Sequence, residues 1–323
     1  MKRWCMTLLT LILAGTTLAQ GPELEVLQTI EGGGDDLLYG PDALCFGPDG
    51  SRYVLNTGDC RVLQFDAQWE LVRAFGRQGE GPGEFTNPTG MILRQGKLWV
   101  FEMMRATLFS LDGEYLETRS SRLEMHDPIS TDRGILIRMG SNERMVALFD
   151  DQLELIAKMG PECPGAEDFM AQYRACGFVR ALPHPDHLAL LLNPLDGRLW
   201  VLGHDGEVQR ELSLMDEEGA SSIQEEDGGE SVTMSFSLIM GAGGVDRHGR
   251  YWSVPFPPDA DEDAPQVLVV LGREDLQPVA EVSLPDEVLA FRVFHAPDGT
   301  LVLLDGMSSL VHVCAYPPEL ATD

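Results

Sequence analysis

The sequence predicts an all-β chain built from six versions of one four-stranded unit, and three observations carry this. Apolar runs are short, rich in Val, Leu, Ile and aromatic residues, and bounded by Gly, Pro, Asp and Asn. Almost no segment sustains a helical period. One pattern, an apolar strand, a turn such as Pro-Asp-Gly and three further strands, restarts at intervals of roughly 38 to 60 residues. That spacing is the range of propeller blades, so the expected fold is a six-bladed β-propeller with four antiparallel strands per blade.

The first unit starts near Asp42 and runs to Gly76, with strands DALCFG, RYVLN, VLQFD and ELVRAFG. The second starts near Thr89 and runs TGMILR, LWVFE, TLFSLD and LETRS. The third starts at Asp127 with DPIST, ILIRMG and MVALFD, and the fourth near Gly177 with GFVRAL, LALLLN, RLWVLG and EVQRELSL. The fifth starts near Ser235 and the sixth near Ala290. Asp-Gly and Gly-Lys steps between strands supply the positive φ that tight hairpins need. Trp99, Trp200 and Trp252 lie on strands and read as core. The sixth unit stops after its third strand, LVHVCAY. Its fourth is expected from Glu23–Ile30, ELEVLQTI, whose Leu24, Val26 and Ile30 suit a strand. Pairing the two ends closes the ring and leaves no inner edge open.

The joint between the first two units, AFGRQGEGPGEFTNPTGMIL over Ala74–Leu93, has the glycine density of a phosphate loop. No Lys-Ser/Thr follows the glycines and no helix does, so that chemistry is absent. The glycines instead permit a sharp reversal, Phe85 is placed to plug the seam between blades, and Pro88 fixes the start of the next inner strand. GRQGEGPGEFTNPTGMIL, KLWVFE and RATLFSLDGEYL, with VLNTGDCRVLQFDAQWEL before them, resemble the NHL-repeat pattern: glycines, Phe, Pro, an apolar strand, a strand ending in an acid, an Arg, then Phe-Asp-Gly. The resemblance covers residues 40–120 well and the remainder loosely. It implies kinship with bacterial, exported six-bladed propellers of the NHL type. Arg138 and Pro255 depart from the pattern, which places an acid at the end of the second strand.

Residues 1–19 read as an export signal. Lys2 and Arg3 form its charged start, Met6–Ala14 its short apolar core, and Thr17-Leu18-Ala19 the cleavage site. The apolar run is too short to span a bilayer, so a soluble periplasmic or secreted monomer is expected, with one propeller over residues 20–323. Loss of the two leader cations takes the formal charge from −29 to −31 and leaves two lysines, Lys97 and Lys158. Such a surface repels phosphate backbones and argues against nucleic acid as a partner. It serves solubility and suits cations, basic ligands or a salty medium. Of the five cysteines beyond the leader, Cys163 and Cys176 bracket a short loop and are the best disulfide pair.

Candidate site residues follow from the repeat. The second strands end in Asn56, Glu102, Arg138, Asn193, Pro255 and Asp305, which a symmetric ring would array about one axis at the channel mouth. Glu102, Asn193 and Asp305, with Asn56, are the oxygen-rich set a hard cation such as Ca²⁺ takes. The same residue types also cap turns by binding backbone amides. Arg61, Arg105 and Arg144 sit at matched loop positions. They suit a shared anionic ligand or a tie to an adjacent acid. His126 lies near a mouth joint. The set resembles that of the gluconolactonase class of six-bladed propellers, which implies a metal-assisted hydrolase or lyase. The histidines lack the convergence of the NHL-type amidating lyase. Asp259–Asp263 carries the alternating acids of a calcium loop without its later glycine and acid, and Gln224–Glu230 reads as a solvated insertion or a disordered bulge. No catalytic constellation rises above the scaffold, so the leading expectation is a binding scaffold for a peptide, glycan or protein ligand, with the metal-assisted enzyme as the alternative.

Overall fold

The computed structural model describes residues 21–33, 36–139, 143–163, 175–214, 224–227, 232–235, 240–255, 266–306 and 308–321. The leader and the Asp259–Asp263 acids lie outside them. Six four-stranded antiparallel blades follow one another along the chain. Their first strands, innermost in each blade, are Pro41–Phe46, Gly90–Arg94, His126–Thr131, Arg180–Leu182, Met240–Val245 and Arg292–His295. The second strands are Arg52–Asn56, Lys97–Glu102, Gly134–Arg138, Ala189–Asn193, Tyr251–Pro255 and Leu301–Asp305.

The ring closes as the repeat predicts. Val26–Ile30 completes the sixth blade by pairing antiparallel with Leu310–Cys314, Thr29 opposite His312 and Ile30 opposite Val311. The preceding residues reach the fifth blade, where the Leu24 amide donates to the Ser283 carbonyl at 2.8 Å. Leu24 is 1% exposed and Ile30 4%.

The second and third strands of the blades are buried on both faces, and the alternation of side chains decides which neighbour each one meets. Leu301 and Leu303 pack toward Trp252, Val254 and Leu268 of blade five. Val302 and Leu304 on the same strand pack toward Val54, Leu63 and Phe65 of blade one. The described residues form six such apolar clusters, one between each pair of adjacent blades around the ring. All three strand tryptophans named above are buried.

Glycine is required where blades meet. Phe85 is fully buried in the seam between blades one and two, and a Cβ on Gly76 would stand 2.4 Å from its ring. The backbone of Gly76 is also left-handed, at φ +82. The glycine-rich joint is therefore the seat of that phenylalanine. In the Met240–Val245 strand, a Cβ on Gly244 would lie 1.9 Å from the Val293 carbonyl oxygen. That closeness lets the inner strands of blades five and six touch in a parallel bridge at Gly243 and Arg292.

Two sequence boundaries shift. Val232–Ser235 belongs to a hairpin with Gln224–Asp227, so blade five starts at Met240 rather than Ser235. Gln224–Glu230 is not an unstructured bulge throughout; its first four residues are a paired strand. Cys163 and Cys176 are joined by a disulfide across 13 positions. Reduction is expected to lower stability by about 3 kcal/mol, the closure entropy of a loop of that length, read as a fall in the urea midpoint with reductant present.

Candidate functional site at the channel mouth

Each first strand begins at the mouth of the central channel, opposite the end of its second strand. Pro41 pairs with Asn56 and His126 with Arg138. One step further in stand Asp42, Gly90, Asp127, Arg180, Gly241 and Arg292. In blades one and three the register breaks at this step, so Asp42 and Asp127 are the extra residues of β-bulges. Arg180 and Arg292 lie opposite Leu192 and Leu304. Glycine holds the other two places because neighbours fill the space: a Cβ would stand 2.4 Å from Pro128 at Gly90, and 2.7 Å from the Phe291 carbonyl oxygen at Gly241.

These side chains meet across the ring. Asp127, 7% exposed and left-handed at φ +50, projects its carboxylate between two arginines. Arg180 Nη1 donates to Asp127 Oδ1 at 2.6 Å and Arg292 Nη2 donates to the same oxygen at 2.9 Å. Asp127 Oδ2 is buried without a protein hydrogen bond. Arg292 also faces Asp42 at 3.6 Å, an ion pair longer than a hydrogen bond. Burial alone would raise the Asp127 carboxyl, but Arg180, Arg292 and Arg138 outweigh it and hold it below the usual carboxylate range. His126 is also pushed down, to about 4, by burial and the Arg138 charge, and a lowered value leaves a histidine neutral at pH 7.

The Asp127–Arg180–Arg292 bridge stands between two cavities. The channel cavity, about 380 Å³, has apolar walls including Leu44, Ile92, Ile129, Leu182 and Val293, with His295 among its few polar residues. The mouth pocket, about 150 Å³, is lined by Asp42, Phe178, Arg180, Pro194, Phe291 and Arg292 among others. Arg180 and Arg292 border both.

The second-strand ends hold loops. Asn56 Nδ2 donates to the Leu37 carbonyl at 3.0 Å, and its Oδ1 accepts the Tyr39 amide. Glu102 Oε1 accepts the Thr86 amide and hydroxyl, both at 2.7 Å, and the Asn87 amide at 3.2 Å. Asn193 Oδ1 accepts the Leu195 amide at 3.1 Å, and Asp305 Oδ1 the Ser308 amide at 2.9 Å. Arg61 pairs with Asp59, and Arg105 with Glu102. Arg144 donates to the Gly160 carbonyl at 2.8 Å and faces Glu162. His126 faces Glu124 at 3.9 Å, and Arg138 donates to the Gly177 carbonyl at 2.8 Å. Of the sequence-predicted residues, only His126 and Arg138 adjoin the bridge. Among the described residues, no three His, Cys, Asp or Glu side chains are grouped to hold a metal ion.

The second-strand ends do not point to Asp42, Asp127, Arg180 or Arg292, which lie on the first strands. Aligning the starts of first strands, PDALCF, HDPIST, VRAL and FRVF, places two acids and two arginines at one step.

Comparison with known proteins bears on the fold. Residues 34–147 match the model of a family described as a 6-bladed beta-propeller. No curated protein matches by sequence. Among solved structures, virginiamycin B lyase from Staphylococcus aureus is similar with a TM-score of 0.56 at 9% identity, covering 91% of this chain and all of that one. A candidate exported protein from Bacteroides fragilis gives 0.56 at 9%, covering 87% and 84%. The Cps50 (Swd1) beta-propeller domain of Myceliophteria thermophila gives 0.52 at 10%, covering 91% and 99%. The chain is thus a β-propeller, an architecture shared by proteins of unrelated activity. Among the described residues no helix is long and apolar enough to cross a membrane.

Proposed function

We propose that the chain is an exported, monomeric binding module that takes an oxygen-rich ligand, the end of a glycan or a peptide, at the channel mouth. One observation carries this reading: Asp42, Arg180 and Arg292 converge on a small pocket with aromatic walls. Few, well-placed polar groups among apolar walls are what ligand sites need for orientation and specificity. Asn56, Glu102, Asn193 and Asp305 fit a scaffold role, since each accepts from a loop amide beside it. Export is supported by the leader sequence and by the Cys163–Cys176 disulfide, which persists in an oxidising compartment.

The test is a glycan and peptide array probed with residues 20–323. A ligand retained by the parent and by Arg73→Gln, on an outer strand, but lost in Asp42→Asn and Arg292→Gln, is the expected result. Equal retention by the mouth variants, or consumption of the bound ligand, overturns the reading.

A further inference from the structure

We infer that the central channel is a second binding site, one that takes a neutral ring compound with an apolar body and a single hydroxyl group at one end. The site lies across the Asp127–Arg180–Arg292 bridge from the mouth pocket and does not depend on what that pocket binds.

Space and wall chemistry set the body of the ligand. The channel cavity is about 380 Å³, inside the range of roughly 300–1,000 Å³ that small-molecule sites occupy. An apolar cavity of about 150 Å³ already holds one benzene ring, so this one has room for two fused rings with a substituent. From Arg292 at the bridge to His295 at the far end is three residues of strand, ~10 Å. Leu44, Ile92, Ile129, Leu182 and Val293 line the space between. A buried water needs two to four polar partners, which such side chains do not supply. Displacing a poorly held water by an apolar group favours binding. At the far end burial pushes His295 down to about 4, which leaves it neutral at pH 7. Pro183 borders the cavity and is exposed, so that end gives entry without breaking the bridge.

Polar atoms at the bridge set the head group. Asp127 borders the cavity and is 7% exposed, and its Oδ2 is buried without a protein hydrogen bond. A carboxylate oxygen in that state is stabilised by any donor brought to it. Arg180 reaches Asp127 through Nη1 and Arg292 through Nη2, so each guanidinium has further donors to offer. The end of a ligand therefore meets an acceptor and donors together. A hydroxyl is the smallest group that donates and accepts at once. A carboxylate brings no proton for Oδ2 and sets like charges side by side, and an ammonium faces two guanidinium groups. Both arginines are already ion-paired to Asp127, so a charged ligand would lose its hydration in an apolar space without a counter-charge waiting for it.

The experiment is calorimetric titration of residues 20–323 with 2-naphthol and three counterparts of the same shape: 2-methylnaphthalene, 2-naphthoate and 2-naphthylmethylammonium. One equivalent of 2-naphthol is expected to bind, with each counterpart at least tenfold weaker. Asp127→Asn sets a donor where Oδ2 stands and should narrow the advantage of 2-naphthol over 2-naphthoate to under threefold. Asp42→Asn, which borders the mouth pocket and not the channel, should leave the ranking unchanged. In crystals grown with 6-bromo-2-naphthol, the anomalous bromine peak should lie inside the ring of first strands. Absence of 2-naphthol binding, a counterpart bound as tightly, or a bromine peak outside the channel overturns the inference. If Asp127→Asn fails to fold, the parent's ranking and the bromine position still decide. An array ligand that depends on Asp42 and Arg292 would keep the mouth reading standing through any of these failures.

Discussion

Deleting residues 21–30 is expected to abolish cooperative folding. The strand Val26–Ile30 is the fourth of the last blade, and its removal leaves Leu310–Cys314 as an unpaired apolar edge. Leu24 and Ile30 would leave the core, at about 1.5–3 kcal/mol each. The ladder bonds to Leu310–Cys314 and the Leu24–Ser283 bond go with them. Together these losses are comparable with the whole stability of an ordinary domain, about 5–15 kcal/mol. Urea titration followed by tryptophan fluorescence should show a broad, early transition, with light scattering raised at low urea. A truncated chain with the parent's midpoint would show that the ring does not depend on this strand.

The second large effect concerns the bridge. Arg180→Met is expected to destabilise the fold by about 3 kcal/mol, the low end for breaking a buried ion pair, because Arg180 is about one-third exposed. The cost comes from Asp127, which stays buried with Arg292 as its remaining close partner. Asp127→Asn keeps the shape, removes the charge and should cost less. Combining the two should recover part of the loss, with a coupling of at least about 1 kcal/mol in a double-mutant cycle. Additive losses would show that the arginine acts through packing alone.

Acid tests the same carboxylate. Its native pKa is depressed below the unfolded value of about 3.9. Its contribution is therefore fully present above that unfolded pKa and is lost as pH falls through the native one. Between pH 5 and pH 2 the parent should lose more urea resistance than Asp127→Asn. Equal slopes would remove Asp127 from the account.

The architecture was legible because it repeats. Strand, turn and strand recur with the same punctuation, and Leu24, Val26 and Ile30 identified the missing strand without a partner in view. Phe85 was legible too, since a lone aromatic among glycines has few uses other than filling a seam. The site was less so, for a physical reason. Acids and amides at strand ends bind nearby amides or distant ligands with the same atoms, and Glu102 and Asn193 do the former. The bridge draws Asp127, Arg180 and Arg292 from three blades, separated by up to 165 positions, and a pairing over that distance leaves no local pattern. What the sequence does hold is the shared step of four first strands, and a β-bulge shifts two of them by one residue.

The clasp at Val26–Ile30 also orders events in time. In any vectorial process the stretch that leads is the one whose partner, at Leu310–Cys314, arrives nearly last. Such distant pairing is slow to form, and the ring cannot lock while the carboxyl end is still in transit. During synthesis the strand Val26–Ile30 therefore waits for nearly the whole of the following chain before its ladder can form.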